Sequence, residues 1–200
     1  MIFHATMDHE LEPLFRAFGP LTEQEGAIVA AAVTTHTVGK GTILLDVGAV
    51  CDQAYLVVSG GLRTLFWDPK GKEVTRYVAL QGQVCTVLDS FISREESRES
   101  IEAFLDSTVI VWDRDTQDRL RRTIPSWNEA YIRILERAQV LNAWRLVGLL
   151  GMNAAQRYAA LLEEWPEMVR DVPDRIIASY LGMAPEYLSR LKARVLHGLS

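Results

Sequence analysis

The sequence predicts an α+β chain: helices near the N-terminus, a β-sandwich or barrel in the middle, then a long helix and a C-terminal helix-turn-helix. Three observations carry that reading. Leu11, Leu14, Phe15 and Phe18 keep helical spacing. Between residues 35 and 112 the pattern changes to short alternating or β-branched runs broken by glycines, as in the closely spaced strands of a sandwich or barrel. Residues 175–190 then fill the structural positions of two short helices around a tight turn.

The first helical region runs from about residue 10 to residue 32. Within it Thr22 stands as an N-cap, and Glu25 three residues later completes a capping box. The strand runs include residues 42–45, 54–58, 62–67, 74–78 and 109–112, punctuated by Gly39, Gly41, Gly48, Gly60, Gly61 and Gly82. Asp68-Pro69-Lys70-Gly71 has the chemistry of a hairpin turn, with Pro presetting φ and Gly at the tip. Pro125 and Ser126 open a long helix in which Trp127, Tyr131, Ile134, Ala138 and Leu141 recur at steps of four and three. That is the spacing of a coiled-coil seam, and the alternative is a helix packed on its own barrel. The stripe ends at Arg145 and Gly148. Asn153 caps a further helix that stops at Pro166, and Pro173 precedes the helix-turn-helix.

In that motif Ile177, Ala178 and Leu181 share one face of the first helix, with Ala178 small enough for a close helix crossing. Gly182 sits at the turn, where a residue without Cβ adopts positive φ at little cost. Pro185 suits the first turn of the second helix, and Leu188 and Leu191 form its apolar stripe. Ala184 occupies the N-cap position, where Ser, Thr or Asp is worth about 1 kcal/mol; Glu186 offsets part of that through the helix dipole. An ordinary helical hairpin uses some of the same residues. The full set of matched positions points to a helix whose N-terminal half enters the major groove of DNA. There Arg190 is the expected bidentate partner of guanine O6 and N7, and Glu186 can accept from cytosine N4. Tyr187 and Ser189 reach phosphate or a base edge, while Lys192 and Arg194 suit backbone phosphates.

A net charge of −5 looks wrong for such a protein until its distribution is considered. Residues 174–200 carry four basic residues against two acidic ones, so they stand at +2 and the remainder at −7. A +2 module alone holds phosphates weakly, so two copies are expected to act together. No run of about 20 apolar residues exists to span a bilayer. The first residues show no basic segment followed by an apolar one, so a cytoplasmic location is expected. Cys51 and Cys85 are too few for a disulfide framework, a metal cluster or an iron–sulfur site, and each is read as a small buried hydrophobe. His4, His9, His36 and His197 are scattered, and no nucleophile elbow, P-loop or Cys-x-x-Cys occurs. Neither an enzyme nor a metal protein is expected.

An N-terminal helical piece, a Gly-punctuated barrel, a long helix and a C-terminal helix-turn-helix together resemble the CRP/FNR family of bacterial transcription regulators, over nearly the whole chain. Gly39-Lys40-Gly41, Gly48, the run from Tyr55 to Gly60, and Gly71-Lys72-Glu73 look like that family's barrel glycines and strands. The C-terminal part looks especially like a short subgroup common in Bacteroidetes-type bacteria. The resemblance implies a double-stranded β-helix (jelly-roll-like) barrel of the cyclic-nucleotide-binding type over residues 1–120. It implies a dimerisation helix over 121–150, with Trp127, Tyr131, Ile134, Ala138 and Leu141 as its seam, and a DNA-binding domain over 151–200. It also implies a homodimer, double-stranded DNA as partner, and a small-molecule effector.

The family's phosphate cassette has a Gly-Glu-Leu, whose Glu holds the ribose 2′-OH, and an Arg-Ser or Arg-Thr about ten residues on. Here the matching stretch starts at Gly82, and Thr86, Val87 and Leu88 stand at the Gly-Glu-Leu positions. Valine cannot accept the ribose hydrogen bond, and losing a charged partner costs about 1.5–3 kcal/mol. Arg98, before Glu99 and Ser100, is displaced by about one residue and has Glu95, Glu96, Glu99 and Glu102 around it. A surface ion pair is the expectation for Arg98. Tight binding of cAMP or cGMP is not expected, no cofactor is identified, and the effector is unassigned. The rival reading is a ligand-binding or protein-interaction module with a vestigial helix-turn-helix.

Overall fold

A computed structural model of the chain describes residues 11–19 and 21–196. The chain divides into two compact units. One runs to residue 65 and resumes over residues 78–137; the other joins residues 66–77 to residues from 138 onward. These boundaries differ from the three-part division above. The long helix is shared between the units, and a β-hairpin from the middle of the chain belongs with the C-terminal helices.

Two short helices begin the first unit, α1 (Glu12–Phe18) and α2 (Glu23–Ala30). The capping box forms as its residues require: Thr22 Oγ1 accepts from the Glu25 N–H, and the Glu25 carboxylate accepts from the Thr22 N–H. Eight strands follow among the described residues: β1 (Thr34–Val38), β2 (Ile43–Leu45), β3 (Gln53–Ser59), β4 (Leu62–Trp67), β5 (Glu73–Ala79), β6 (Val84–Cys85), β7 (Ser100–Ala103) and β8 (Ser107–Asp113). They form two four-stranded sheets, ordered β1-β8-β3-β6 and β2-β7-β4-β5. β3 lies antiparallel to β8 with Leu56 opposite Ile110, and β4 antiparallel to β7 with Thr64 opposite Ile101. This is the expected jelly-roll.

The chain turns from β3 into β4 through Gly60 and Gly61. Gly60 has φ +83°, and a Cβ on Gly61 would lie 2.3 Å from the Phe104 ring, so both positions require glycine. Leu56, Leu62, Val78, Ile101 and Ile110 are fully buried, a β-branched and leucine core that strands covered on both faces demand. The runs at β1, β6 and β7 are polar or very short; pairing, not propensity, makes them strands.

Helix α3 (Leu88–Ser93) lies between β6 and β7, and α4 (Arg114–Thr123) follows β8. Asp113 caps α4 by accepting the Thr116 N–H, which holds its carboxyl below the ordinary value. Helix α5 (Pro125–Gly151) then runs for 27 residues. Its first turns belong to the barrel unit. Trp127 stacks on Phe18 with ring centroids 3.8 Å apart and meets Trp112 edge-on, while Gln117 Oε1 accepts from both indole N–H groups.

In the second unit, α6 (Ala154–Glu164) starts with a capping box between Asn153 and Gln156. Pro166 ends α6 and opens α7 (Pro166–Asp171), and α8 (Asp174–Tyr180) and α9 (Pro185–Leu196) form the helix-turn-helix. Tyr158, Met168, Ile176, Ile177, Leu188 and Leu191 are among the buried apolar residues of this unit. At the β4–β5 turn, Asp68 accepts from the backbone N–H groups of Lys70 and Lys72, and Gly71 takes φ +76°.

Candidate nucleic-acid interface and barrel cassette

The turn between α8 and α9 is a Schellman motif. Met183 N–H donates to Ala178 C=O at 2.9 Å, Gly182 N–H to Ser179 C=O at 3.2 Å, and Gly182 has φ +66°. Ile176, Ile177 and Ala178 on α8 and Leu188 and Leu191 on α9 are buried apolar residues of the two helices. The opposite face of α9 is left to solvent: Ala184, Pro185, Glu186, Tyr187, Ser189, Arg190 and Arg194 are exposed. None of their polar side chains makes a hydrogen bond among the described residues, and the Arg190 guanidinium lies 5.8 Å from the Tyr187 ring centroid. Lys192 differs from the rest. Its ammonium is half-buried and paired with the Asp174 carboxylate, so a phosphate contact has to compete with that ion pair.

Two arginines that sequence reasoning did not select hold the module together. Arg157 donates to the C=O groups of Leu181 and Met152, and Arg145 donates to the C=O groups of Tyr180 and Thr75. Carbonyls at a helix C-terminus lack intrahelical partners, which is why cations collect there. The only sequence sign was that Arg145 interrupts an otherwise apolar stripe.

One member of the expected seam on α5 needs correction. Trp127 is fully buried in the aromatic cluster of its own unit, so it cannot face a partner, and the alternative of packing on the barrel applies to it. Tyr131, under the Arg121 guanidinium, and Ile134, Ala138 and Leu141 are half-buried. The apolar side chains left in solvent, Ile132, Leu146 and Leu149 among them, include a set displaced around the helix: Val140 at 53% exposure, Trp144 at 58%, Val147 at 62% and Leu150 at 81%. With Ala143, the set 140, 143, 147, 150 has its own three-four spacing.

In the cassette region Gly82 turns the chain with φ +78°. Thr86 Oγ1 donates to Gln53 C=O at 3.0 Å and lies 3.3 Å from Cys51 Sγ. Val87 is fully buried as the residue before α3, and Leu88 begins that helix. Ser90 Oγ accepts from Cys51 N–H and donates to Glu95 C=O. Ser97 is likewise tied to Glu99, and Ser100 is buried in β7. Glu102 is not part of an acidic surround: it pairs with the buried Arg63 opposite it on β4, at 2.5 Å. Arg98 is exposed and makes no ion pair among the described residues, contrary to expectation. With Val47, Val50, Arg94, Glu95 and Glu96 it lines an open cleft of about 680 Å³. Cys51 and Cys85 are buried thiols, as expected, and burial pushes the neighbouring Tyr55 hydroxyl well above its ordinary pKa. His36 Nε2 lies 2.9 Å from Thr34 Oγ1; His4, His9 and His197 lie outside the described residues. Among the described residues no group of His, Cys, Asp and Glu could hold a metal, and no helix is long and apolar enough to cross a membrane.

No family model matches the chain. A transcriptional regulatory protein of Bordetella pertussis, btr, is 27% identical over 169 residues, covering 78% of this chain and 69% of the relative. Among solved structures, FixK2 of Bradyrhizobium japonicum is similar with a TM-score of 0.71 and 19% identity, over 84% of this chain and 86% of that one. A protein of Eubacterium rectale assigned to the CRP/FNR family gives 0.67 and 20%, over 90% and 86%. The catabolite activator protein of Thermus thermophilus gives 0.57 and 22%, over 94% and 88%. The jelly-roll barrel, the long helix and the C-terminal helix-turn-helix thus give this chain the architecture of the CRP/FNR-family regulators.

Proposed function

We propose that this chain is a cytoplasmic, sequence-specific regulator of transcription that binds double-stranded DNA as a homodimer. The observation that carries this reading is α9: a well-supported helix whose Glu186, Tyr187, Ser189, Arg190 and Arg194 are exposed, with side chains that have no hydrogen-bond partners among the described residues. Its relatives are transcription regulators, which supports the same reading and no enzymatic one. Two copies bring two such helices to a symmetric site, and the apolar stripe Val140, Ala143, Trp144, Val147 and Leu150 is the surface on which they pair. The cassette is degenerate: a buried Val87 stands where a ribose-binding acid is needed, so cAMP and cGMP bind weakly and the effector is of another kind.

Duplex fragments from beside the gene, titrated over a salt series, test the reading. Saturable binding of a symmetric site that weakens steeply with salt is the expected result. Salt-independent behaviour, or no binding in the presence of any effector, would favour the interaction-module alternative. Sedimentation tests the dimer: Val147→Glu is expected to shift it to monomer, and an unchanged dimer would place the interface elsewhere.

A further inference from the structure

Strand β5 is an edge strand, last in the order β2-β7-β4-β5, and an edge carries backbone groups with no neighbouring strand. Within the C-terminal unit that edge is met by α8. Thr75 N–H donates to Ser179 Oγ at 2.8 Å, and the Ser179 hydroxyl donates to Glu73 C=O at 3.3 Å. One hydroxyl therefore takes the bonds that a residue of a parallel strand would make opposite Val74: it accepts from the following residue and donates to the preceding one. The next carbonyl along, Thr75 C=O, accepts from Arg145 Nη2 at 3.0 Å, and the same nitrogen donates to Tyr180 C=O at 3.1 Å, at the C-terminal end of α8. Arg145 also sits 4.7 Å above the Tyr180 ring, and Thr75 is fully buried. Four backbone groups of three residues are thus tied together by two side chains.

We infer that Ser179 and Arg145 form a clasp between the β4–β5 hairpin and the first helix of the helix-turn-helix, and that Ser179 is a positioning residue for DNA recognition. This rests on the DNA-binding reading above. The exposed reading face of α9 is untouched by the clasp, so the module can enter a groove with the clasp closed. A closed clasp limits the orientations that α8, and α9 behind it, sample before DNA is met. Pre-ordering of that kind strengthens specific binding, which needs one orientation, and leaves non-specific phosphate contact unaltered.

The test uses the full chain, unmodified and as Ser179→Ala and Ser179→Thr. Amide exchange at Thr75 reads the clasp, and exchange at Ile110 in β8 reports that the barrel still folds. Binding to the specific site and to random duplex is measured over the same salt series. In Ser179→Ala, Thr75 is expected to exchange about 10-fold faster with Ile110 unchanged. Specific affinity is expected to fall about 5-fold with the random-duplex affinity and salt slope unchanged. Ser179→Thr, which keeps the hydroxyl, restores both. Equal protection of Thr75 in all three proteins would overturn the clasp. Faster exchange with unchanged or tighter specific binding would overturn the positioning role. Absence of salt-dependent binding by the unmodified chain would instead sink the regulator reading, and the positioning role with it, while Thr75 exchange still reports on the clasp.

Discussion

The cassette segment from Gly82 to Ser100 and the helix α9 are the two places where sequence patterns point to a function, and they use their polar atoms in opposite ways. In the cassette, Thr86, Ser90 and Ser97 bond to nearby backbone and Val87 is buried, and just beyond it Glu102 is matched to Arg63. On α9, Glu186, Ser189, Arg190 and Arg194 point to solvent without hydrogen-bond partners among the described residues. Buried polar groups have to be satisfied internally, so a segment whose groups are already satisfied has little left for a ligand. A helix held from behind by Ile177, Leu188 and Leu191 can present most of its polar side chains outward, Lys192 being drawn into its pair with Asp174. Arg98 departs from this inside the cassette, exposed with Glu95 and Glu96 in an open cleft.

The largest expected effect breaks the comparison from the cassette side. Val87→Glu, which restores the acid of the family pattern, places a charge where the side chain is fully buried. A loss of about 3–5 kcal/mol is expected in a denaturant melt, with no gain of cAMP binding by calorimetry. A stable variant that binds cAMP would show that the cassette is one substitution from function rather than rebuilt. Next, Arg190→Ala should weaken specific DNA binding by about 1–3 kcal/mol in a titration, while Arg98→Ala leaves it unchanged. Equal losses on specific and random duplex would reduce Arg190 to a phosphate contact. The smallest effect concerns Asp113, whose carboxyl is held below its ordinary value by the Thr116 N–H it accepts. A depressed carboxylate pKa stabilises the fold above about pH 4 and loses that contribution as pH falls through the folded-state value. Asp113→Ala is therefore expected to cost about 1 kcal/mol at neutral pH, with the difference shrinking in acid melts. A constant difference across pH would mean that the charge is irrelevant to the cap.

Much of this was legible beforehand, because it rests on local rules. The capping box at Thr22, the N-cap at Asn153, the Asp68–Gly71 turn and the Gly182 turn each depend on a few adjacent residues with fixed conformational preferences. The reading face of α9 followed from its 3.6-residue period once Leu188 and Leu191 were taken as its inner side. Strand β7 was not legible: Ser-Ile-Glu-Ala has no strand pattern of its own and is one because β2 and β4 pair with it. Nor were the partners of Glu102, read as a surface acid, or of Lys192, read as open to phosphate.

By itself the sequence determined the order of elements, the jelly-roll class, the helix-turn-helix and which residues on α9 face away from its apolar stripe, since periodicity, caps and turns are short-range properties. Tertiary structure decided which neighbours claim each side chain. Trp127 fits a coiled-coil seam by spacing, yet Phe18 and Trp112 take it into the barrel unit, while Val140, Trp144, Val147 and Leu150 remain exposed further along the same helix. Ser179 carries no sign of its role in the sequence, and becomes the link to a strand edge about a hundred residues earlier in the chain only when the chain is folded. Contacts of that range depend on the positions of distant backbone groups, which no local pattern encodes.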